Sequence, residues 1–337
     1  MTGPTPVGLA PQAALRSAGF GPQGGTVAVT GATGFIGSHL VHRLADAGWR
    51  VRILTRRLPT HPRFADTPVE AVIGALDEPD SLARLVRGAD AVVHCAGLVK
   101  ARNRAEFFRV NADGVRGLAT AAAAQSPRPR FILLSSLAAR EPALSAYAAS
   151  KRAGEAALAA HGVGLPWTVL RPPAIYGPGD RETLPFFRFV ARGIAPLLGP
   201  RSARLSLLHV DDLTAAVAVL LAAEGSVGAT YELDDGRPGG YSWRAMTDAA
   251  ARHLGTRARP VQVPRALLQG AALTAGLIGL VAPRGHMLTA GKVRELRHPD
   301  WVCHDRTLVE HTAWRPRLDL HDGFAATIGW YRRAGWL

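Results

Sequence analysis

The chain has 337 residues, of which 47% are hydrophobic and 20% are charged; it is therefore long and apolar enough for one or two folded domains and is not a disordered protein. Its two cysteines, Cys95 and Cys303, exclude a disulfide framework, and no Cys/His spacing suggests a metal site. The formal net charge is +14, yet only three of the 40 basic residues are lysines, and no basic run contains interleaved aromatic residues. We therefore expect no nucleic-acid partner.

Residues 1–25 are rich in Pro and Gly and lack the charged start and apolar run of a signal peptide, which predicts a flexible leader on a reduced, cytoplasmic protein. Short apolar or β-branched runs then alternate with stretches of helical periodicity. We predict strands at 26–30, 51–54, 69–73, 91–94, 131–134 and 167–170, and helices at 35–47, 81–86, 106–125 and 146–161. This alternation predicts an α/β fold with a doubly wound parallel sheet.

A cluster of prolines and glycines at 172–179 ends the alternation, and one further strand–helix unit returns at 205–223. We therefore assign residues 26–171 and 205–235 to the doubly wound domain, and residues 172–204 and 236–337 to a smaller lobe. A doubly wound sheet binds its ligand beyond the carboxyl ends of the strands, so motifs that directly follow strands are the candidates for a site.

The segment TGATGFIG, residues 30–37, directly follows the first predicted strand and begins a helix. Gly31 permits a tight turn, Gly34 lets backbone amides approach a pyrophosphate, and Gly37 permits close contact between helix and strand. The N-terminus of the helix would stabilise the phosphate charge. The motif and its position predict a dinucleotide-binding loop.

The end of the second predicted strand bears on the choice between the two nicotinamide cofactors. It carries Arg56 and Arg57 and no carboxylate that could accept hydrogen bonds from the ribose hydroxyls. Guanidinium groups match the geometry of a 2′-phosphate, which favours NADPH over NADH. The alternative is that these are two more arginines of an arginine-rich chain.

Tyr147 and Lys151 are spaced at i and i+4, which places a phenol and an ammonium on one face of a helix. A nearby ammonium favours the phenolate, so we expect the pKa of Tyr147 to shift from about 10 towards the neutral range, where a tyrosine can exchange protons. Ser136, at the end of the preceding strand, could hydrogen-bond a substrate carbonyl in the same crevice.

These motifs resemble the extended short-chain dehydrogenase/reductase superfamily, as do the HCAG segment at 94–97, Asn111 and the segment RPPAIYGPG at 171–179. The resemblance implies a Rossmann domain with a small C-terminal substrate-binding lobe. It also implies that Tyr147 is the general acid/base, that Lys151 holds the nicotinamide ribose, that Ser136 orients the reacting oxygen, and that Asn111 kinks a helix or holds a water. The implied cofactor contacts are Gly31, Thr33, Gly34, Phe35, Ile36, Gly37, Arg56, Arg57, Leu76, Ala96, Gly97, Lys151, Pro173 and Ile175.

Three departures from the superfamily pattern concern the ligands. The acidic residue that commonly follows the third strand is replaced by Gly74-Ala75-Leu76, so adenine recognition would rest on backbone or on Leu76. Leu205 stands where sugar-nucleotide enzymes usually have an arginine, with Arg204 one residue away. Their later Arg-x-Gly-Asp element is replaced by HPDW at 298–301. These changes disfavour a sugar-nucleotide substrate.

Residues 266–283 form a run of 18 uncharged residues between Arg265 and Arg284. Glycines and the polar Gln269 and Thr274 within it argue against a membrane-spanning helix. Three roles stay open, namely an ordinary buried helix, a wall of a lipophilic substrate pocket, or a peripheral contact with the inner membrane surface. Apolar helices of this kind resemble the branch that contains 3β-hydroxysteroid dehydrogenases, dihydroflavonol reductases and lipid-ketone reductases.

Together these features favour an NADPH-dependent reductase, or the reverse dehydrogenase, that interconverts a ketone and a secondary alcohol. The expected substrate is a small lipophilic molecule such as a 3-keto sphingoid, a ceramide or a steroid-like compound. A nucleoside-diphosphate-sugar epimerase or dehydratase with the same catalytic residues is the first alternative. A non-catalytic NADPH-binding assembly subunit is the second, and a homodimer is compatible with each of these functions.

Overall fold

The computed structural model describes residues 24–57, 64, 66–223, 228–270 and 289–337. In chain order its strands are β1 (Thr26–Thr30), β2 (Arg50–Thr55), β3 (Val69–Ile73), β4 (Ala91–His94), β5 (Arg130–Leu134), β6 (Trp167–Arg171), β7 (Ala174–Tyr176), β8 (Ile194–Leu197), β9 (Arg204–Leu205), β10 (Leu207–His209), β11 (Ala229–Glu232), β12 (Tyr241–Ser242), β13 (Arg259–Gln262) and β14 (Asp300–Trp301). Its labelled α-helices are α1 (Phe35–Asp46), α2 (Pro79–Val86), α3 (Arg104–Phe108), α4 (Gly114–Ala123), α5 (Ala146–His161), α6 (Leu184–Ala191), α7 (Val210–Ala222), α8 (Trp243–Leu254), α9 (Ala290–Arg297), α10 (Thr307–His311) and α11 (Leu320–Arg333).

Seven of these strands form one parallel sheet in the order β3-β2-β1-β4-β5-β6-β11. Successive side chains of a strand point to opposite faces, and both faces are covered. Val27 and Val29 pack in one core with α1 and α7, whereas Ala28 packs in the other with α2, α4 and α5. The predicted doubly wound Rossmann fold is confirmed. The strand order reverses between β1 and β4, which opens a crevice at their carboxyl ends.

The predicted helix at 106–125 is interrupted in the structure. α3 and α4 are separated by a π-helical segment, Arg109–Asp113, which contains Asn111. α5 approaches this segment so closely that a Cβ on Gly154 would lie 2.2 Å from the Asn111 backbone oxygen. The predicted single helix is therefore divided, and the interruption lies at Asn111, where the resemblance implied a kink. Contacts with α5 and with the loop after β4 outweigh the local preference for a regular turn.

The second lobe has its own core, formed by α6, α8 and α11 with aromatic rings at its centre. The ring centroids of Phe187 and Phe324 are 4.9 Å apart, and Tyr331 is fully buried beside them. Short strands surround this core as the pair β7–β10, the pair β8–β13 and the three-stranded sheet β12-β9-β14. Pro- and Gly-rich segments supply several of these strands, which is why the sequence did not indicate them.

Two predicted segments lie largely outside the described residues. They are the leader, of which 24 and 25 alone are described, and the apolar run, of which 266–270 are described and are helical. Within the described ranges, no helix is long and apolar enough to cross a membrane.

Candidate active site

The loop between β1 and α1 has no room for side chains at two positions. Gly31 has a φ of +70°, and a Cβ there would lie 2.6 Å from the Ala96 nitrogen. A Cβ on Gly37 would lie 2.1 Å from the Gly31 oxygen. α1 begins at Phe35, with Gly34 as an N-cap in extended conformation. The loop therefore presents the N-terminus of α1 at the carboxyl edge of the sheet, which is the geometry that binds a pyrophosphate.

The other predicted cofactor residues border the same edge. Arg56 and Arg57 are exposed and directly follow β2, the neighbour of β1. Leu76 follows β3 and packs against α4, where a Cβ on Gly114 would lie 3.1 Å from its Cδ1 atom. The remaining predicted contacts are also exposed or half-buried: Thr33, Phe35, Ile36, Ala96, Gly97, Pro173 and Ile175. A cradle of glycines beside accessible guanidinium groups fits a nicotinamide dinucleotide.

Asn111 connects the loop after β4 to the catalytic helix α5. Its Oδ1 atom accepts a hydrogen bond from the Leu98 nitrogen at 2.7 Å, and its Nδ2 atom donates to the Leu98 oxygen at 3.0 Å. Nδ2 also donates to Ser150 Oγ at 2.9 Å, next to Lys151. Asn111 is 2% exposed. Its side chain is thus fully occupied in holding two elements of the site together, while the predicted role with a water stays a prediction.

Ser136, Tyr147 and Lys151 come together at the carboxyl end of β5. Ser136 follows β5, and its Oγ atom accepts a hydrogen bond from the Ala138 nitrogen at 3.2 Å. Tyr147 lies in the first turn of α5, close enough to Ser136 for that hydroxyl to affect its pKa. Lys151 lies one turn later and is buried, and its Nζ atom donates to the Leu134 oxygen at 2.6 Å. The three residues, which are separated in sequence, therefore lie next to one another in the folded protein.

Burial dominates the protonation of the two catalytic groups. It raises the pKa of Tyr147 to about 12, although the hydrogen bond with Ser136 acts in the opposite direction. It lowers the pKa of Lys151 to about 8, while Glu155 and Cys95 act to raise it. The expected downward shift of the Tyr147 pKa is therefore wrong for this structure, because burying a phenolate costs more than the hydrogen bond returns. Tyr147 is a protonated phenol at neutral pH, as a proton donor must be.

Glu155, one turn after Lys151 on α5, acts to raise the pKa of Lys151 and was not among the predicted site residues. Its carboxylate accepts hydrogen bonds from Arg171 Nε at 2.8 Å and Arg171 Nη2 at 2.6 Å. Ser135 Oγ donates to the same carboxylate at 2.6 Å. The sequence could have identified Glu155, because Tyr147, Lys151 and Glu155 follow one another at intervals of four residues. This spacing places all three along one face of α5.

A second support comes from α9 in the other lobe. Ser145 caps α5 by accepting a hydrogen bond from the Ala148 nitrogen at 2.9 Å, and its hydroxyl donates to the buried carboxylate of Glu295. Lys292 Nζ lies 2.8 Å from the other Glu295 oxygen and 6.0 Å from the centroid of the Tyr147 ring. No local sequence pattern could indicate the contact between Ser145 and Glu295, because 150 residues separate them.

Comparisons with known proteins identify relatives along nearly the whole chain. A model of the NAD dependent epimerase/dehydratase family matches residues 27–233. A ceramide reductase from Caulobacter vibrioides is 45% identical over 318 residues, which is 93% of this chain and 96% of that protein. A 3 beta-hydroxysteroid dehydrogenase/Delta 5→4-isomerase from Mycobacterium tuberculosis is 30% identical over 249 residues, which is 64% of this chain and 66% of that protein.

Solved structures share the fold at lower identity. A UDP-glucose 4-epimerase from Thermotoga maritima, solved with UDP-glucose, has a TM-score of 0.69 and 20% identity, and the match covers 92% of this chain and 99% of that one. MoeE5, solved in complex with UDP-glucuronic acid and NAD, has a TM-score of 0.70 and 23% identity over 92% of this chain and 100% of that one. At these identities the likeness shows the Rossmann architecture alone.

Proposed function

Because this chain belongs to the NAD dependent epimerase/dehydratase family and is an NAD(P)-dependent oxidoreductase of the extended short-chain dehydrogenase/reductase type, we propose that it reduces the ketone of a lipophilic substrate. The proposed substrate class is a 3-keto sphingoid or an oxidised ceramide, and the product is the corresponding secondary alcohol. The identity of 45% with a ceramide reductase over 93% of the chain supports this class.

The observation that carries the reductase proposal is that Tyr147, in the first turn of α5, lies beside Ser136 and one helical turn from the buried Lys151. In the reduction, a nicotinamide cofactor supplies a hydride to the carbonyl carbon when it is bound. Ser136 would hold the carbonyl oxygen, and Tyr147 would donate the proton that completes the hydroxyl group. Lys151 would contribute positive charge beside the phenolate that remains.

The choice of NADPH rests on charge at the end of β2. Arg56 and Arg57 are exposed there, and no carboxylate follows the strand at the positions that would bind the ribose hydroxyls of NADH. Arginine donors suit a 2′-phosphate because their planar fork can make two parallel hydrogen bonds to it.

Product analysis with the purified protein tests the proposal. We expect NADPH oxidation to accompany conversion of a long-chain 3-keto-ceramide into its alcohol, one molecule for one, when both are followed by absorbance and mass spectrometry. Tyr147→Phe should reduce kcat by roughly 10²–10⁴-fold and leave NADPH affinity unchanged, because only the proton donor is removed.

Two other results would replace the proposal. Interconversion of UDP- or dTDP-sugars without net NADPH consumption would identify an epimerase. Tight NADPH binding with no turnover across a panel of ketones and sugar nucleotides would identify a non-catalytic subunit. Full activity in Tyr147→Phe would overturn the assignment of the proton donor.

A further inference from the structure

β8 and β13 form a parallel two-stranded ribbon in the second lobe. Ile194 pairs with Arg259, and Pro196 pairs with Val261. Because side chains alternate along a strand, these four share one face of the ribbon, while the alternate position Leu197 is buried. Ile194 and Val261 are 41% and 49% exposed. This face of the ribbon thus presents two exposed apolar side chains, Ile194 and Val261, beside the exposed Arg259.

Apolar exposure continues on both sides of the ribbon. Phe189 is 42% exposed in the last turn of α6, which leads into β8. Leu267 is 65% exposed in the helical residues 265–270 that follow β13. This helical segment is anchored, because the next residue, Leu268, is buried in a cluster with Val293 of α9. The exposure of Leu267 is therefore a property of the folded lobe.

Four arginines border these apolar side chains. Arg192 and Arg257 lie at one end of the ribbon, Arg259 within it and Arg265 beyond its other end, and all four are exposed. Within the described part of the chain, none of them forms an ion pair. The sequence ranges 184–199 and 255–270 contain no Asp or Glu. We call this surface the β8–β13 patch, and it consists of Phe189, Arg192, Ile194, Arg257, Arg259, Val261, Arg265 and Leu267.

We propose that the β8–β13 patch docks onto the surface of an anionic phospholipid bilayer. Phospholipid phosphates would pair with the guanidinium groups, which bind phosphate through two parallel hydrogen bonds, and the acyl region would accept the apolar side chains between them. A bilayer satisfies both kinds of side chain at once. A free anion would satisfy only the arginines.

The patch is joined to the active site through α9. Leu268 packs on Val293 of α9, and Lys292 of the same helix lies 6.0 Å from the centroid of the Tyr147 ring. If the proposed lipid substrate is correct, docking would bring the lobe that borders Tyr147 to the source of that substrate. The docking itself does not depend on the reaction.

Vesicle flotation of the full chain tests the docking. We expect the protein to float with vesicles of phosphatidylglycerol and phosphatidylcholine at low salt, and to float much less at high salt or with phosphatidylcholine alone. Binding only to neutral vesicles, or no binding to anionic ones, would overturn the proposal. Tyr147→Phe should float like the unmodified protein, so loss of activity and loss of docking are measured separately.

Matched variants locate the surface. Arg257→Gln with Arg259→Gln should weaken partitioning into anionic vesicles by about 10- to 30-fold, since each arginine near such a surface contributes about fivefold. Arg84→Gln with Arg87→Gln makes the same change of net charge on exposed residues of the main-sheet side and should change partitioning little. Equal losses in the two pairs would show attraction by net charge alone and would overturn the assignment to the patch.

The apolar part of the patch has its own control. Leu267→Asp should reduce flotation even at low salt, whereas Val163→Asp should not, because Val163 is 72% exposed but lies on the loop between α5 and β6. Both positions are solvent-exposed, and unchanged circular dichroism would show that each variant is folded. Flotation of Leu267→Asp at the level of the unmodified protein would contradict insertion of apolar side chains.

Discussion

The glycine-loop wall and the α5 wall of the candidate site are built from different parts of the chain. The glycine loop uses backbone, and its shape depends on the absence of Cβ atoms at Gly31 and Gly37. The α5 wall uses side chains, and two buried carboxylates connect α5 to neighbouring elements: Glu155 pairs with Arg171, and Glu295 accepts a hydrogen bond from Ser145. Added side-chain volume should therefore disrupt the glycine loop, whereas loss of a charge or a hydrogen bond should destabilise the α5 wall.

The largest expected loss of unfolding free energy follows from removing a buried charge of the α5 wall. Glu155→Gln would leave the Arg171 guanidinium without its paired carboxylate, and breaking a buried pair in this way costs about 3–5 kcal/mol of unfolding free energy. Glu182→Gln is the matched control, because its ion pair with Lys100 is half exposed and such pairs contribute at most about 1 kcal/mol. Denaturant unfolding of the two variants measures the difference, and similar losses would contradict a buried role for Glu155.

A side chain added to the glycine loop should destabilise the protein by steric overlap. In Gly31→Ala the new Cβ would meet the Ala96 backbone, so overpacking and the positive φ together should cost about 2–4 kcal/mol, with a loss of dinucleotide affinity. Gly48→Ala has a similar positive φ, +90°, but no atom within 4 Å of the new Cβ, and should cost about 1 kcal/mol. Fluorescence titration with NADPH and thermal unfolding distinguish them. Equal behaviour of the two variants would show that space at Gly31 is not limiting.

The same contrast explains what the sequence could predict. The glycine loop, the strands at 26–30, 69–73 and 91–94 and the helix at 146–161 lie where they were predicted, because each depends on a local pattern. The Ser145–Glu295 contact could not be predicted, since it joins residues that are 150 positions apart. The resemblance implied a kink at Asn111, but the π-helical form of that segment has no local sequence signal. The direction of the Tyr147 pKa shift could not be predicted from the sequence either, because it depends on how deeply the hydroxyl is buried.

One predicted cofactor contact on the glycine-loop side depends on side-chain charge, namely that of Arg56 with the 2′-phosphate of NADPH. If Arg56 meets a 2′-phosphate, Arg56→Ala should weaken NADPH binding by about 1.5–3 kcal/mol and leave NADH binding nearly unchanged. Arg57→Ala makes the same change of net charge one residue away, and a loss of NADPH affinity in that variant alone would assign the 2′-phosphate contact to Arg57. Isothermal titration with both cofactors decides the matter. A protein that binds NADH more tightly than NADPH before any substitution would overturn the proposed cofactor preference.

The smallest expected effect on kcat comes from the N-cap of α5. It tests whether Ser145 only stabilises the helix or also positions Tyr147. Ser145→Ala removes the cap of α5 and a hydrogen bond to Glu295, and Ser242→Ala removes the equivalent cap of α8, where Ser242 Oγ accepts from the Ala245 nitrogen at 3.1 Å. Loss of the cap should cost each variant about 1 kcal/mol of stability. Ser145→Ala should lose about 1–3 kcal/mol more, because a buried oxygen of Glu295 also loses its hydrogen-bond donor. Only Ser145→Ala should also lower kcat with NADPH affinity unchanged, because α5 carries Tyr147 in its first turn. Ser145→Thr should restore kcat, since threonine keeps the hydroxyl for both hydrogen bonds. A fall in kcat of the same size in Ser242→Ala would mean that general stability, and not the position of Tyr147, sets the rate.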